Sequence, residues 1–369
     1  FISGWCYWTN NLFYIPSVLF IFVGVTAYAG GAGAAAMAQN KHFMAASSIG
    51  TLWFITLLHI RGLGAGKWLN NLGGLSIWGT LLLLVGIAFV VFKQNHGPAT
   101  PFQWSALKMS LKNYGGLAAF SLALYSLVGL ELGPVMGDEI QNPQKNIRRS
   151  VLLGGSICIL LYLVGTTSLL TAVPSKDVAA ISGLMQAVTI AGNSLSLQAL
   201  IPFVAILIGV AVMGICSAWL AGSARIPFVM GIEAYLPKAL GKTHSRWNSP
   251  YVALLAQGVF STVFVLISLY GAKVNEAYNI LLSSSIIIQL IPFLYLFAGL
   301  MLLRKHLVLA VFGFVATVFG ILFVFFPSSS VENVTLFELK VIGSTLFMIG
   351  LAYAFYYKSR REAARLEQV

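Results

Sequence analysis

The sequence predicts an all-α integral membrane protein, and three observations support that fold class. Hydrophobic residues make up 58% of the 369 residues, and charged residues make up only 9%. The mean hydropathy of +0.87 is higher than a soluble domain of this length can accommodate. Long apolar runs recur along the chain, whereas the apolar–polar alternation of barrel strands is weak. A lipid bilayer is therefore the expected partner of most of the surface.

The apolar runs define the expected helices in chain order. A helix needs about 20 apolar residues to cross about 30 Å of hydrocarbon, and the charged residues lie between runs of that length. Ten spans are predicted, at residues 5–28, 42–61, 75–92, 117–139, 150–173, 200–225, 252–270, 278–303, 308–326 and 336–357.

The fourth run differs from the others because it is interrupted. Gly129, Gly133, Pro134 and Gly137 lie inside it, together with the acidic residue Glu131. A charge at bilayer depth costs about 2.5–3.5 kcal/mol on insertion scales, so such a residue is expected to face a cavity or a partner. Irregular backbone persists in a membrane only inside protein or against water. A broken helix with an acid at mid-membrane is typical of a secondary transporter's binding site.

The distribution of basic residues predicts the orientation. If the loop after the second span is inside, the inner segments hold 15 Lys and Arg residues and the outer segments hold 7. The positive-inside rule then places the C-terminus in the cytoplasm. The long outer loop 174–198 carries an amphipathic piece around Leu184, Met185 and Val188, which is either a short helix over the outer mouth or a surface helix.

Other classes of protein fit less well. The net charge of +12 does not indicate nucleic-acid binding, because the basic residues lie between apolar runs and form no basic face. Cys6, Cys158 and Cys216 lie in apolar runs without metal-ligand spacing, so no metal or cofactor is expected. A membrane enzyme would need an acidic cluster or an HExxH pattern, and a channel would need a filter-like loop. None of these three patterns is present.

Three stretches resemble one family of membrane proteins. These are SGWCYWTNNLFYIPS at 3–17, YSLVGLELGPVMGDEIQNPQKNIRRS at 125–150, and WLAGSARIPFVMGIEAYLPKALGKTHSRWNSPYVALL at 219–255. Their order and spacing resemble helix three, helix six and helices eight to nine of amino acid permeases in the amino acid–polyamine–organocation superfamily. The resemblance covers nearly the whole chain.

The resemblance implies a LeuT-like fold of two inverted five-helix repeats and two further helices. On that plan the ten spans correspond to family helices three to twelve, so we expect the chain to be a fragment of a longer protein. The implied divisions are the remainder of the first repeat at 1–92, an outer loop at 93–116, the complete second repeat at 117–303, two C-terminal helices at 304–357 and a cytoplasmic tail at 358–369.

The break in the fourth span is the expected substrate site. By analogy with the family, backbone carbonyls near Tyr125 and Val128 would accept hydrogen bonds from an ammonium group, within the segment that includes Ser126 and Gly129. Gly129 permits close backbone approach. The alternative is a kink that neighbouring helices relieve. Glu131 is either a proton carrier that couples transport to pH or a structural acid that accepts hydrogen bonds from the unwound backbone; both hypotheses stay open.

Further polar and aromatic residues are candidates for the same site. Tyr125 and Trp219 match aromatic residues near the substrate in relatives, and packing is the alternative role. Asn11, with its neighbour Asn10, is expected to face the cavity because a lipid-facing amide is costly. Ser284 and its serine neighbours either line the site or form hydrogen bonds between helices.

The resulting hypothesis is a secondary active transporter for amino acids or related amines in the plasma membrane. Proton symport and substrate exchange are both open, so protons are a candidate partner. The alternatives are a non-transporting amino acid sensor of the same fold and a membrane-embedded enzyme.

Overall fold

The computed structural model describes residues 1–31, 33–103, 114–131, 140–229, 233–326 and 331–366. In these ranges the chain is helical and contains no strand. The prediction of an all-α protein is confirmed. The helices are α1 (Ile2–Thr9), α2 (Asn11–Thr26), α3 (Ala34–Gln39), α4 (Lys41–Ile60), α5 (Leu63–Asn95), α6 (Tyr114–Ser126), α7 (Pro143–Ala172), α8 (Gly183–Ser194), α9 (Ile201–Ser223), α10 (Ile226–Val229), α11 (Tyr251–Leu269), α12 (Val274–Leu302), α13 (Leu307–Phe323) and α14 (Val334–Leu366).

Eight helical segments of the described chain are long and apolar enough to cross a membrane. They coincide with eight of the ten predicted spans. The other two predicted spans correspond to the shorter apolar helices α6 and α13. Residues 132–139, the second half of the interrupted span, lie outside the described residues, as do Gly133, Pro134 and Gly137. The protein is thus a multi-pass membrane protein.

The centre of the bundle is α2, which packs against α4, α9, α11 and α12. Buried side chains occur all around this helix, including Leu12, Phe13, Leu19 and Phe20. A helix that is apolar on every side is stable when other helices surround it. The short helix α1 continues almost in line with α2 and meets α12 and α14, so residues 2–26 form the axis of the fold.

The outer surface of the bundle is apolar. Leu152, Leu153, Leu160 and Leu163 on α7 are each more than half exposed. In a membrane protein such side chains face lipid tails, which solvate them as well as a protein core would. The amphipathic segment of the outer loop forms α8, and its residues Met185 and Val188 are buried against the neighbouring helices.

Candidate functional site

Helix α6 ends at Ser126, in the middle of the predicted fourth span. The amide of Val128 donates to the carbonyl of Tyr125 at 3.0 Å, which forms a last tight turn. Gly129 then has φ +114°, a conformation that side chains rarely permit. The interruption predicted from the sequence is therefore present in the backbone, and Gly129 is the residue at which the chain turns away from the helix.

Glu131 folds back over this turn and accepts three hydrogen bonds. Its Oε2 accepts the Gly129 amide at 2.9 Å. Its Oε1 accepts the Tyr7 hydroxyl at 3.1 Å and the Gln289 side-chain amide at 3.3 Å. Both oxygens of the side chain act as acceptors. The carboxylate thus joins α1 and α12 to the broken segment.

Tyr125 forms a second connection between the same elements, on the last turn of α6. Its hydroxyl donates to Asn10 Oδ1 at 3.1 Å and accepts from the Ser285 hydroxyl at 2.6 Å. Asn10 lies at the junction of α1 and α2, and Ser285 lies on α12. Because Tyr125 is buried, these bonds replace the water that its hydroxyl loses.

A cavity of about 370 Å³ lies against the broken segment. Its wall contains five aromatic residues, Tyr14, Tyr125, Tyr162, Trp219 and Tyr278. The Tyr14 ring meets the rings of Tyr125 and Trp219 edge to face, with centroid distances of 5.8 and 5.1 Å. Among the described residues no charged side chain lines the cavity. The site is therefore an aromatic chamber with backbone dipoles at one side.

The backbone of the break is only partly available to a ligand. The hydroxyl of Tyr162 on α7 donates to the Ser126 carbonyl at 2.8 Å. The Tyr125 carbonyl accepts the Val128 amide. Any group that binds these carbonyls must share them with existing donors, which a carbonyl with two lone pairs permits.

The structure brings most of the predicted site residues together. Tyr125, Ser126, Val128 and Trp219 line the cavity, and Gly129 lies against the Trp219 ring. Glu131 lies beside the cavity and is bonded to Gly129.

Two predicted residues lie elsewhere. Asn11 Nδ2 donates to the Tyr7 carbonyl of its own helical segment at 3.2 Å. Ser284 Oγ is 3.0 Å from Ser344 Oγ and joins α12 to α14. Their neighbours Asn10 and Ser285 contact Tyr125 instead.

Sequence reasoning missed several residues of this region, which are Tyr7, Tyr14, Tyr162, Tyr278 and Gln289. Gln289 had a usable signal, because a buried amide in the middle of an apolar run is costly and is expected to have a partner. The tyrosines had no such signal, since tyrosine is common in apolar helices for packing.

A second cavity, of about 440 Å³, adjoins the first. Leu122, Tyr278 and Leu282 line both cavities. The other walls come from α6, the start of α12, the residues just after α13, the first turn of α14, and residues 178–180 of the loop before α8. By the predicted topology this second cavity lies on the outer side of the central one.

The described residues contain no group of three or more His, Cys, Asp and Glu side chains that could hold a metal ion. The three cysteines are unpaired. The site offers aromatic rings, hydroxyls and backbone dipoles, which suit an organic ligand.

A multi-pass helical bundle with a broken helix beside a cavity is typical of membrane transporters. The chain belongs to the amino acid permease family, whose model matches residues 1–346. Membership agrees with the LeuT-like helical bundle that the sequence resemblance implies.

Individual relatives are transporters by name. The chain is 25% identical to an uncharacterized transporter of Legionella pneumophila, over 97% of this chain and 80% of the relative. It is 24% identical to the glutamate/gamma-aminobutyrate antiporter of Lactococcus lactis, over 68% of this chain and 54% of the relative. It is 24% identical to the putrescine transporter PotE of Haemophilus influenzae, over 70% of this chain and 57% of the relative. The chain thus spans little more than half the length of the last two.

Proposed function

We propose that this protein is a secondary active transporter that moves amino acids or related amines across the plasma membrane by alternating access. The observation that carries the proposal is the 370 Å³ aromatic cavity at the broken end of α6. Its volume lies within the range of small-molecule sites. The named relatives are transporters, and no observation favours a sensor or a membrane enzyme.

An ammonium group fits this cavity chemically. Aromatic faces attract cations, and Tyr125, Tyr14 and Trp219 present rings to the same space. The C-terminal end of α6 adds the negative end of a helix dipole. Because no described charged side chain lines the cavity, we infer that the ammonium is held by dipoles and rings, with Glu131 acting from behind the backbone turn.

Glu131 remains our candidate for proton coupling. Oε1 of Glu131 already accepts two hydrogen bonds, so a proton that binds to this oxygen requires one of its two donors to turn away. The Tyr7 hydroxyl can do this, because a hydroxyl can rotate from donor to acceptor. Protonation would thereby loosen the connection between α1 and the broken segment. Exchange without protons is the alternative coupling mode.

We also propose the predicted orientation and division of the chain. The 15 to 7 ratio of basic residues supports a cytoplasmic C-terminus. The divisions at 1–92, 93–116, 117–303, 304–357 and 358–369 stay a proposal that rests on the family plan.

Transport by purified protein in liposomes tests the function. Vesicles loaded with unlabelled compound are mixed with labelled glutamate, gamma-aminobutyrate, putrescine or a set of neutral amino acids. We expect counterflow of at least one of them and its loss in Trp219→Ala. Ser284→Ala is the matched control, since Ser284 lies outside the cavity. Saturable binding without counterflow would instead identify a sensor.

A further inference from the structure

A separate cavity lies at the opposite end of the bundle from the predicted outer cavity. Its volume is about 210 Å³, and it forms where α4 ends, α9 ends and α11 begins. His59, Arg225, Trp247, Asn248 and Ser249 are among its lining residues. It shares no lining residue with the central cavity.

The walls of this cavity are held in place by hydrogen bonds. His59 Nε2 is 2.8 Å from Ser217 Oγ, which joins α4 to α9. Ser249 Oγ donates to the Ile60 carbonyl at the end of α4. The Ser249 carbonyl in turn accepts the His244 amide at 2.8 Å, so the loop before α11 is a closed turn. The cavity is therefore a built feature of three connected elements.

One arginine lines the cavity, and two more are next in sequence to lining residues. Arg225 forms part of its wall. Arg61 precedes the lining residue Gly62 and is exposed. The Arg246 guanidinium carbon is 5.9 Å from the Trp247 ring centroid. No Asp or Glu of the described residues lines the cavity. A guanidinium has five donors, so Arg225 can bind a ligand beside any protein partner.

The position of the cavity relative to the membrane indicates the source of its ligand. Three spanning helices begin or end around it, which places it at the membrane surface. Trp247 is 37% exposed and lies beside the exposed Arg246, and tryptophan with arginine is typical of the headgroup level. Basic pockets between spanning helices on the cytoplasmic side bind anionic head groups.

From these observations we propose that the cavity binds the phosphate of an anionic phospholipid in the inner leaflet. Arg225 and the neighbouring Arg61 and Arg246 supply the charge. The His59–Ser217 pair and the Ser249 turn fix the shape of the cavity. Because Ser217 is two residues from Trp219 on α9, a bound lipid would stabilise the helix that carries one wall of the central cavity.

Native mass spectrometry of the purified protein tests this assignment. The protein is titrated with palmitoyl-oleoyl phosphatidylglycerol, or with the phosphatidylcholine of the same acyl chains. We expect one phosphatidylglycerol to bind at low lipid excess. Arg225→Gln should lower its apparent affinity about tenfold, because a charge-assisted bond is lost. Arg246→Gln should lower it about fivefold.

Two further variants distinguish binding inside the cavity from attraction of the lipid by the overall positive charge of the protein. Ala221→Leu adds volume inside the cavity without changing charge and should also remove the bound lipid. Arg304→Gln removes one charge at the end of α12, away from the cavity, and should not. Ala221→Leu and Arg246→Gln keep the test valid if Arg225→Gln does not fold.

Three results would overturn the proposal. Equal binding of phosphatidylcholine, whose phosphate is neutralised by its choline group, would show that the net negative charge of the lipid is not recognised. An equal loss in Arg304→Gln would show that only overall charge matters. Displacement of the lipid by millimolar glycerol 3-phosphate would identify a soluble phosphate compound as the ligand.

Discussion

The indole ring of Trp219 lies directly against Gly129, the residue at which α6 breaks. A Cβ atom added to Gly129 would stand 3.0 Å from Cζ2 of the ring. Gly129 also has φ +114°. Two independent constraints therefore require glycine here, one from the backbone conformation and one from the approach of α9.

Gly129→Ala should abolish or strongly reduce transport. The substitution strains the backbone, at a cost of about 1–3 kcal/mol, and it displaces Trp219 from the wall of the central cavity. The measurement is labelled-substrate counterflow together with thermal unfolding. Gly86→Ala is the control, because an added Cβ there has no heavy atom within 4 Å. Wild-type counterflow in Gly129→Ala would argue against a role for the break.

Glu131→Gln should weaken the turn in either orientation of the new amide. Glutamine has one acceptor oxygen, whereas the Gly129 amide, the Tyr7 hydroxyl and the Gln289 amide all donate to Glu131. Loss of one hydrogen bond to a charged group costs about 1.5–3 kcal/mol. If Glu131 carries the coupled proton, uptake driven by a pH gradient should disappear while exchange remains.

The assay for Glu131→Gln is uptake into liposomes with and without an imposed proton gradient. Gln289→Ala is a useful companion, since it removes one donor and leaves the carboxyl group. Unchanged gradient-driven accumulation in Glu131→Gln would exclude the carrier role and leave Glu131 as a structural acid.

Tyr125→Phe should destabilise the fold by about 0.5–1.5 kcal/mol for each hydrogen bond that is lost. The hydroxyl connects Asn10 to Ser285, so Ser285→Ala should be non-additive with it. Unfolding of the single and double variants in detergent measures the coupling energy. The destabilisation by Ser284→Ala, one residue away, should add to that of Tyr125→Phe without a coupling energy. Full additivity of Ser285→Ala would contradict the observed contact.

Gly73→Ala should destabilise the contact between α5 and α9. A Cβ on Gly73 would be 2.5 Å from the Gly214 Cα, and small residues at such crossings allow helices to pack closely in membranes. Overpacking of this kind costs about 1–3 kcal/mol. Gly74→Ala is an adjacent control with no heavy atom within 4 Å. In thermal unfolding, Gly73→Ala should therefore melt at a lower temperature than Gly74→Ala.

Single cysteines test the orientation. Thr243 and Gln144 are exposed, and cysteines there should react with an impermeant thiol reagent only from the cytoplasmic side. A cysteine at Asn275, which lines the outer cavity, should react only from outside. The native cysteines should be replaced first. Labelling of residue 243 from outside in sealed cells would show that the predicted orientation is inverted.

The sequence predicted the fold class and the family, and both are confirmed. The sequence predicted the limits of helices less well where glycine or polar residues lie inside a packed helix. Residues 63–74 contain several glycines and asparagines and precede the predicted third span, yet α5 begins at Leu63. The Gly73–Gly214 contact explains why glycine is useful there. Glu276 likewise precedes the predicted eighth span, but it lies in the first turn of α12 and is 2% exposed.

The sequence predicts the site residues that interrupt an apolar run, but it does not predict which distant residues contact them. Gly129 and Glu131 are conspicuous because they interrupt an apolar run. The side-chain partners of Glu131, Tyr7 and Gln289, are by contrast 124 and 158 residues away, and no local pattern connects them. Asn10 and Ser285 each have an identical neighbour, so only the helix rotation shows which residue of each pair meets Tyr125.

The shared lining of the two cavities has a kinetic consequence. Leu122, Tyr278 and Leu282 separate the central cavity from the outer one, and we expect a passage between the cavities to open by rotation of these few side chains, which is a more local motion than a displacement of helices. On the other side, Glu131 connects three elements, and their separation requires collective helix motion on the microsecond-to-millisecond scale. Occupancy of the site should therefore equilibrate with the outer solution many times before each inward release, so the inward step sets the turnover rate.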